Sequence, residues 1–198
     1  MRVRRLGVEG ALEFTPEVFR DDRGAFTSPL QRHAFARAAG RPPFPVAQTS
    51  HSRSRRGTVR GVHYTRTPPG TAKYVCCLAG RALDLVIDLR EGSPTFGRCE
   101  AVPLDGEGSR ALYLPVGVGH AFVALEDGTL MSYLMSAEYA PEHELAVRPL
   151  DPALGLPLPD GLDPLLSDRD CGAPTLAEAR ERGLLPEYDT CRTIEESL

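Results

Sequence analysis

From residue 46 to residue 136 the chain alternates short apolar runs with breaks made of Gly, Pro, Asp and Ser: 46–50, 58–64, 72–79, 82–90, 99–104, 110–114, 120–125 and 129–136. Runs of this length, broken at this regular spacing, predict antiparallel strands assembled into an all-β sandwich or barrel. The alternation is clearest in Leu83-Asp84-Leu85-Val86-Ile87-Asp88-Leu89, where the odd positions are apolar and the even ones carry two carboxylates. Side chains of a strand alternate between faces, so the Leu83–Leu89 face is predicted to pack on apolar neighbours. The aspartate face then meets water, or in a barrel lines a ligand cavity. Helix signals are few. Residues 31–39 end at Gly40, and Thr175-Leu176-Ala177-Glu178 is a capping box opening a short helix closed by Gly183. From Asp151 onward Pro-rich turns take over, with too few apolar residues for a core of their own. The expectation is one domain over 1–198, with 151–198 as a tail packed on the barrel.

Composition narrows the function classes. Hydrophobic content of 41% and charged content of 25% are ordinary for a globular protein, and a net charge of −4 argues against a general nucleic-acid or membrane-surface binder. The basic start, Met1-Arg2-Val3-Arg4-Arg5, has no apolar run behind it, and no stretch reaches membrane-spanning length, so the chain reads as cytoplasmic. The five cysteines include no C-x-x-C pair or zinc-site spacing and are expected to be reduced, with Cys76 and Cys77 on opposite faces of one strand.

The residues with chemical potential are few. Of 23 basic side chains other than histidine, Lys73 alone is a lysine. A compact ammonium suits a charge held against one atom, whereas a guanidinium spreads its charge over a fork. His63 is the natural base, with Asp84 and Asp170 both candidates for the carboxylate that fixes its tautomer. Tyr133 is placed to return a proton from the other side, and Lys73 to hold the charge that develops on a carbonyl oxygen between them. The segment Pro115-Val116-Gly117-Val118-Gly119-His120 resembles the second cupin motif, whose histidine is often a metal ligand. The partner motif is broken at His63-Tyr64-Thr65, so no metal is expected.

Several blocks taken in order make the resemblance specific: Asp21-Asp22-Arg23-Gly24, Gln48 with His51-Ser52, Arg60-Gly61-Val62-His63-Tyr64, Lys73, Ser93-Pro94-Thr95-Phe96-Gly97, Gly119-His120-Ala121-Phe122, Tyr133 with Tyr139, Pro141 and Glu144, and Leu166-Ser167-Asp168-Arg169-Asp170. Over nearly the whole chain they resemble the dTDP-4-dehydrorhamnose 3,5-epimerase family, and in detail the 5-epimerases of actinobacterial antibiotic-sugar pathways. The resemblance implies a cupin-type jelly roll, a homodimer with composite active sites, no cofactor, and a dTDP-linked 4-keto-6-deoxysugar as substrate. It implies His63 as base with Asp170 as its partner, Lys73 as enolate stabiliser and Tyr133 as acid. Arg60 and Gln48 are then similar to diphosphate ligands, Arg23 to an arginine offered to the neighbouring subunit's nucleotide, and Phe26 and Tyr139 to the aromatic pair around thymine. Asp84, His120 and Glu144 complete the implied substrate-binding set. Thr65 stands where the family has glutamine, Ala25 where it has an aromatic, Ser28 where it has glutamate, and Thr49-Ser50 where it has an acidic-asparagine pair. These departures bear on the pose of the sugar. The expected reaction is inversion mainly at C5, with C3 or both as alternatives. The rivals are a ketoisomerase on the same barrel, a non-catalytic nucleotide-sugar binder and, third, a metal-dependent cupin oxygenase.

Overall fold

Alternation along the strands decides which residues of this chain meet between two facing sheets and which are covered from outside. A computed structural model describes residues 1–198. In chain order it contains β1 (Arg2–Arg5), β2 (Leu12–Thr15), β3 (Val18–Asp21), β4 (Gly24–Thr27), α1 (Arg32–Ala39), β5 (Gln48–Ser54), β6 (Val59–Thr65), β7 (Lys73–Ala79), β8 (Arg81–Asp88), β9 (Cys99–Asp105), β10 (Ala111–Leu114), β11 (Val118–Ala124), β12 (Thr129–Met135), β13 (Glu144–Ala146), α2 (Asp168–Cys171), α3 (Leu176–Glu181) and α4 (Tyr188–Glu196). The strands form a six-stranded sheet in the order β1-β2-β10-β7-β12-β5 and a five-stranded sheet in the order β13-β6-β11-β8-β9, while β3 and β4 pair only with each other. The strand spacing predicts an all-β sandwich or barrel, and the architecture is the jelly roll that the resemblance implies.

Three apolar clusters follow from the two-residue period. Val75, Cys77, Leu112 and Met131 of the first sheet meet Ala82, Val86, Val102 and Phe122 of the second, so this cluster lies between the sheets. Leu85, Ile87 and Leu89 take the opposite face of β8, where Leu154, Ala179 and Leu185 of the C-terminal segment cover them. The leucine face therefore packs as anticipated, under the tail. On the far side of the six-stranded sheet, Phe14, Phe35, Tyr74, Tyr113 and Cys191 pack beneath α1 and α4, and Phe35 meets Tyr113 edge-on at 4.9 Å. Cys76 and Cys77 do face opposite ways, one toward this cluster and the other toward the interior.

The aspartate face of β8 does not meet water. Asp84 and Asp88 are both fully buried, and Asp88 ties down the turn after its strand by accepting from Arg90 Nε at 2.9 Å, Ser93 Oγ at 2.6 Å and Thr95 Oγ1 at 2.6 Å. The run at 46–50 proves to be the start of a longer strand, β5, whose later residues are too polar to register as an apolar run. The strands β1, β2 and β13, the β3–β4 hairpin and the helices α2 and α4 lie outside the runs and helices read from the sequence. No helix is long and apolar enough to cross a membrane.

Gly61 sets how closely β6 approaches β11. Its φ is 138°, and a Cβ there would lie 2.3 Å from Ala121 Cβ and 2.8 Å from the His120 carbonyl oxygen. Gly61→Ala is expected to cost at least about 1–3 kcal/mol through overpacking and backbone strain. At about 2–4 °C per kcal/mol for a chain of this size, thermal unfolding will show a clear fall in Tm.

Candidate active site

Strand β5 ends one sheet, and β6 with the short β13 ends the other. A hydrogen bond from Arg60 Nε to Ser54 Oγ, 3.2 Å, joins the two edges. Here the interior turns polar. Strand β5 directs Gln48, Ser50, Ser52 and Ser54 inward on alternate positions, facing Met131, Tyr133 and Met135 of β12 and Lys73 of β7. From the five-stranded sheet come Arg60, His63 and Thr65 of β6, His120 of β11 and Asp84 of β8.

His63 pairs with Asp170 through Nε2···Oδ1 at 2.6 Å, across 107 residues of sequence. Asp170 is presented by α2, a single helical turn capped where Ser167 Oγ accepts from the Asp170 backbone N–H at 3.2 Å. Burial pushes the Asp170 carboxyl upward, but hydrogen bonds from His63, Ser167 and the Gly61 N–H outweigh it and hold the carboxyl below the ordinary value. Of the two carboxylates considered for His63, Asp84 is therefore not its partner. Asp84 accepts from His120 Nε2 at 2.8 Å and has no exposed surface, so within this chain its carboxylate is engaged by His120. The His120 ring is paired in register with His63 and stands edge-on to Tyr133, with centroids 6.0 Å apart.

Tyr133 and Lys73 line the opposite wall. Burial pushes the Tyr133 phenol well above its ordinary range, opposed by a contact with Ser52 at 3.2 Å, so the phenol keeps its proton. Lys73 is 7% exposed and forms no ion pair or hydrogen bond. Desolvation lowers its pKa, with the charge of Glu144 opposing and that of Arg169 reinforcing the shift. Glu144 accepts from Thr65 Oγ1 at 2.9 Å, and Arg169 donates to the Glu144 carbonyl at 3.1 Å. Beside the His63–Asp170 pair opens a cavity of about 370 Å³ whose lining includes Arg55, Arg60 and Arg169.

The remaining expected residues divide. Gln48 accepts from the backbone N–H of Tyr139 at 2.8 Å, which brings that exposed ring to the end of β5. Arg23 and Phe26 are not drawn into the cleft of their own chain: Arg23 is ion-paired with Asp21 at 2.6 Å on the free hairpin. Sequence reasoning passed over Ser54, Arg55 and Arg169 as site residues. The alternation of serines after Gln48 was the signal for an inward polar strand. No three His, Cys, Asp or Glu side chains gather as a metal-binding group.

An imidazole with its carboxylate on one sheet, a protonated phenol on the other and an ammonium without an ion pair are groups chemically able to take a proton, give one and hold the charge between. Residues 5–178 match the family model described as dTDP-4-dehydrorhamnose 3,5-epimerase. The chain belongs to this family. It is an isomerase acting on a dTDP-linked sugar. It is 50% identical over 194 residues to the dTDP-4-dehydrorhamnose 3-epimerase of Streptomyces niveus, covering 98% of this chain and 93% of that one. Among solved structures it is similar to NovW, a 4-keto-6-deoxy sugar epimerase from the novobiocin cluster of Streptomyces spheroides, at 50% identity and TM-score 0.93, covering 96% of this chain and 95% of that one. It is also similar to ChmJ, a 3'-monoepimerase from Streptomyces bikiniensis solved with dTDP-quinovose, at 48% identity and TM-score 0.92, covering 97% and 96%.

The unpaired ammonium has a measurable cost. Lys73 binds its proton less tightly folded than unfolded, so its burden on stability eases as pH rises toward the ordinary lysine value of 10.5. Lys73→Met is expected to be neutral or stabilising, by up to about 1–3 kcal/mol, while turnover is lost. Differential scanning calorimetry near pH 7 checks this, and a marked fall in Tm would show that the ammonium is well compensated.

Proposed function

We propose that this chain is a cofactor-independent epimerase that inverts a carbon beside the C4 ketone of a dTDP-4-keto-6-deoxyhexose through an enolate. The observation that carries the reading is that His63, held by Asp170, is paired in register with His120, whose ring stands edge-on to Tyr133 of the opposite sheet with centroids 6.0 Å apart. His63 takes the proton from carbon, Asp170 stabilises the imidazolium that results, and Lys73 holds the charge that moves to the C4 oxygen. Tyr133 returns a proton to the other face. Acid and base on opposite faces favour inversion over the ketoisomerase reading, and retention of all four residues disfavours a non-catalytic binder. The substrate's own ketone is the electron sink.

C3 and C5 both flank that ketone, so one base and one oxyanion site serve either. The resemblance noted above pointed mainly to C5, whereas the relatives with about half their residues identical are named for C3. We therefore place proton exchange at C3 first and at C5 second, in a sugar of an antibiotic-type deoxysugar pathway.

We also propose a homodimer with composite sites. Phe19 and Phe26 lie opposite each other on the β3–β4 hairpin, 57% and 69% exposed, and the hairpin adds to neither sheet. A lone two-stranded hairpin is marginal in water, so a second copy is its natural support, and Arg23 at its turn would reach that copy's nucleotide. Residues 1–198 act as one unit on this reading, because the tail supplies Asp170. The five free thiols suit a reducing cytoplasm.

His63→Ala is expected to lower solvent-deuterium incorporation into a dTDP-4-keto-6-deoxyglucose probe by about 10²–10⁴-fold, with dTDP binding little changed. Mass spectrometry and NMR read the label carbon by carbon. Undiminished exchange removes His63 from the mechanism, and label at C5 alone reverses the order of the two carbons. Arg23→Ala should weaken dTDP binding, and mixing it with His63→Ala should restore some activity in hybrid dimers. No recovery, once subunit exchange is demonstrated, places each site within one chain.

A further inference from the structure

We propose that Ser52 is a positioning residue for Tyr133, which aims the phenol at the sugar and holds the negative charge left when the phenol gives up its proton. This deepens the epimerase reading and rests on Tyr133 being its acid.

The geometry is that of a closed pair. Ser52 Oγ lies 3.2 Å from the Tyr133 hydroxyl, and neither group has another hydrogen-bonding partner. The two sit on adjacent strands with Ser50 opposite Tyr133 and Ser52 opposite Met131, so the phenol leans one step along the ladder to reach Ser52. The other inward serines of β5 are engaged elsewhere: Ser50 accepts from Gln48 Nε2 at 2.8 Å, and Ser54 from Arg60. Around the rest of the ring are the edge of His120 and the apolar interior, with the charges of Arg60 and Asp84 nearby, so Ser52 is the phenol oxygen's one hydrogen-bonding neighbour within the protein.

A hydroxyl pair can bond in either direction. If Ser52 donates, the phenol proton is free to point at the substrate. The transfer then breaks the tyrosine O–H bond and forms a C–H bond with the electron pair of the enolate C=C. The C4 ketone is restored and the negative charge passes from its oxygen to the phenol oxygen, where the Ser52 O–H already points. After product leaves, water reprotonates the phenolate, and the proton that His63 took from carbon passes to the hydroxide left behind, which restores both groups. Hydrogen bonds to a charged group are the stronger ones, so this contact is worth more after the transfer than before it. Binding that strengthens along the reaction raises the rate.

The test uses the full-length protein with a dTDP-4-keto-6-deoxyglucose probe in heavy water, following label uptake and inverted product separately. Ser52→Ala is expected to slow inverted product about 10- to 100-fold while His63-dependent exchange with retention continues. Ser52→Thr, which keeps the hydroxyl, should stay near the parent rate. Replacing Tyr133 by a more acidic fluorinated tyrosine should recover inversion in the Ser52→Ala background, a response that a packing defect would not give. Parent-like inversion in Ser52→Ala, with Tyr133→Phe impaired, overturns the role of Ser52 and leaves Tyr133 as the acid. Parallel loss of exchange and inversion in Ser52→Ala, unrescued by the fluorinated residue, overturns it in favour of structural support. Normal inversion by Tyr133→Phe overturns the acid assignment itself, and this proposal with it.

Discussion

The contact between His63 and Asp170 joins the barrel to its tail, and much of the molecule is arranged to make it possible. Asp170 sits on a single helical turn that would not persist alone. It is held there because the segment around it lays Leu154, Ala179 and Leu185 over the leucine face of β8. The face that alternation left apolar on the outside of the five-stranded sheet is thus a docking surface for the segment that brings the carboxylate. Gly61, packed hard against Ala121 next to His63, admits the close approach of β6 and β11 that places the imidazole.

The interior between the sheets is graded. Where β7 and β10 face β8 it is an apolar core, and toward β5 and β6 it becomes a set of paired polar groups. His120 is matched to Asp84 and His63 to Asp170, each histidine with a carboxylate of its own. Lys73 alone is left without a partner. Buried charges are normally neutralised by pairing, and one left open is the kind of local cost that persists where a ligand supplies the missing half. On the proposed mechanism that half is the oxyanion of the reacting sugar.

The sequence revealed the barrel well because its strands obey a two-residue period strongly enough to survive reading in one dimension. All eight apolar runs between 46 and 136 correspond to strands, and the capping box at Thr175 forms with both of its reciprocal hydrogen bonds. Strand β5 was read short because its inward face carries serines in place of aliphatics, and a polar interior leaves no hydrophobic trace. The helix α4 was missed because Tyr188, Cys191 and Ile194 are its main apolar residues, and its cap is a glutamate, Glu187. The choice between Asp84 and Asp170 for His63 depended on folding, since neither is near it in sequence. The motif blocks made Asp170 legible only by resemblance. Whether a residue works in its own subunit or the next, as with Arg23 and Phe26, is a property of assembly that strand periodicity does not encode.

The position of Asp170 in the chain also bears on how the protein is made. Synthesis releases the barrel strands first, so a nascent or prematurely ended chain of about 150 residues can hold both sheets while its leucine face stays bare and its histidine lacks a carboxylate. Such a fragment would be sticky and inert at once. On the proposed mechanism one segment supplies both the cover and the carboxylate behind the base, so activity would appear as the exposed apolar surface disappears, and a working molecule would be one whose translation ran to the end of that segment.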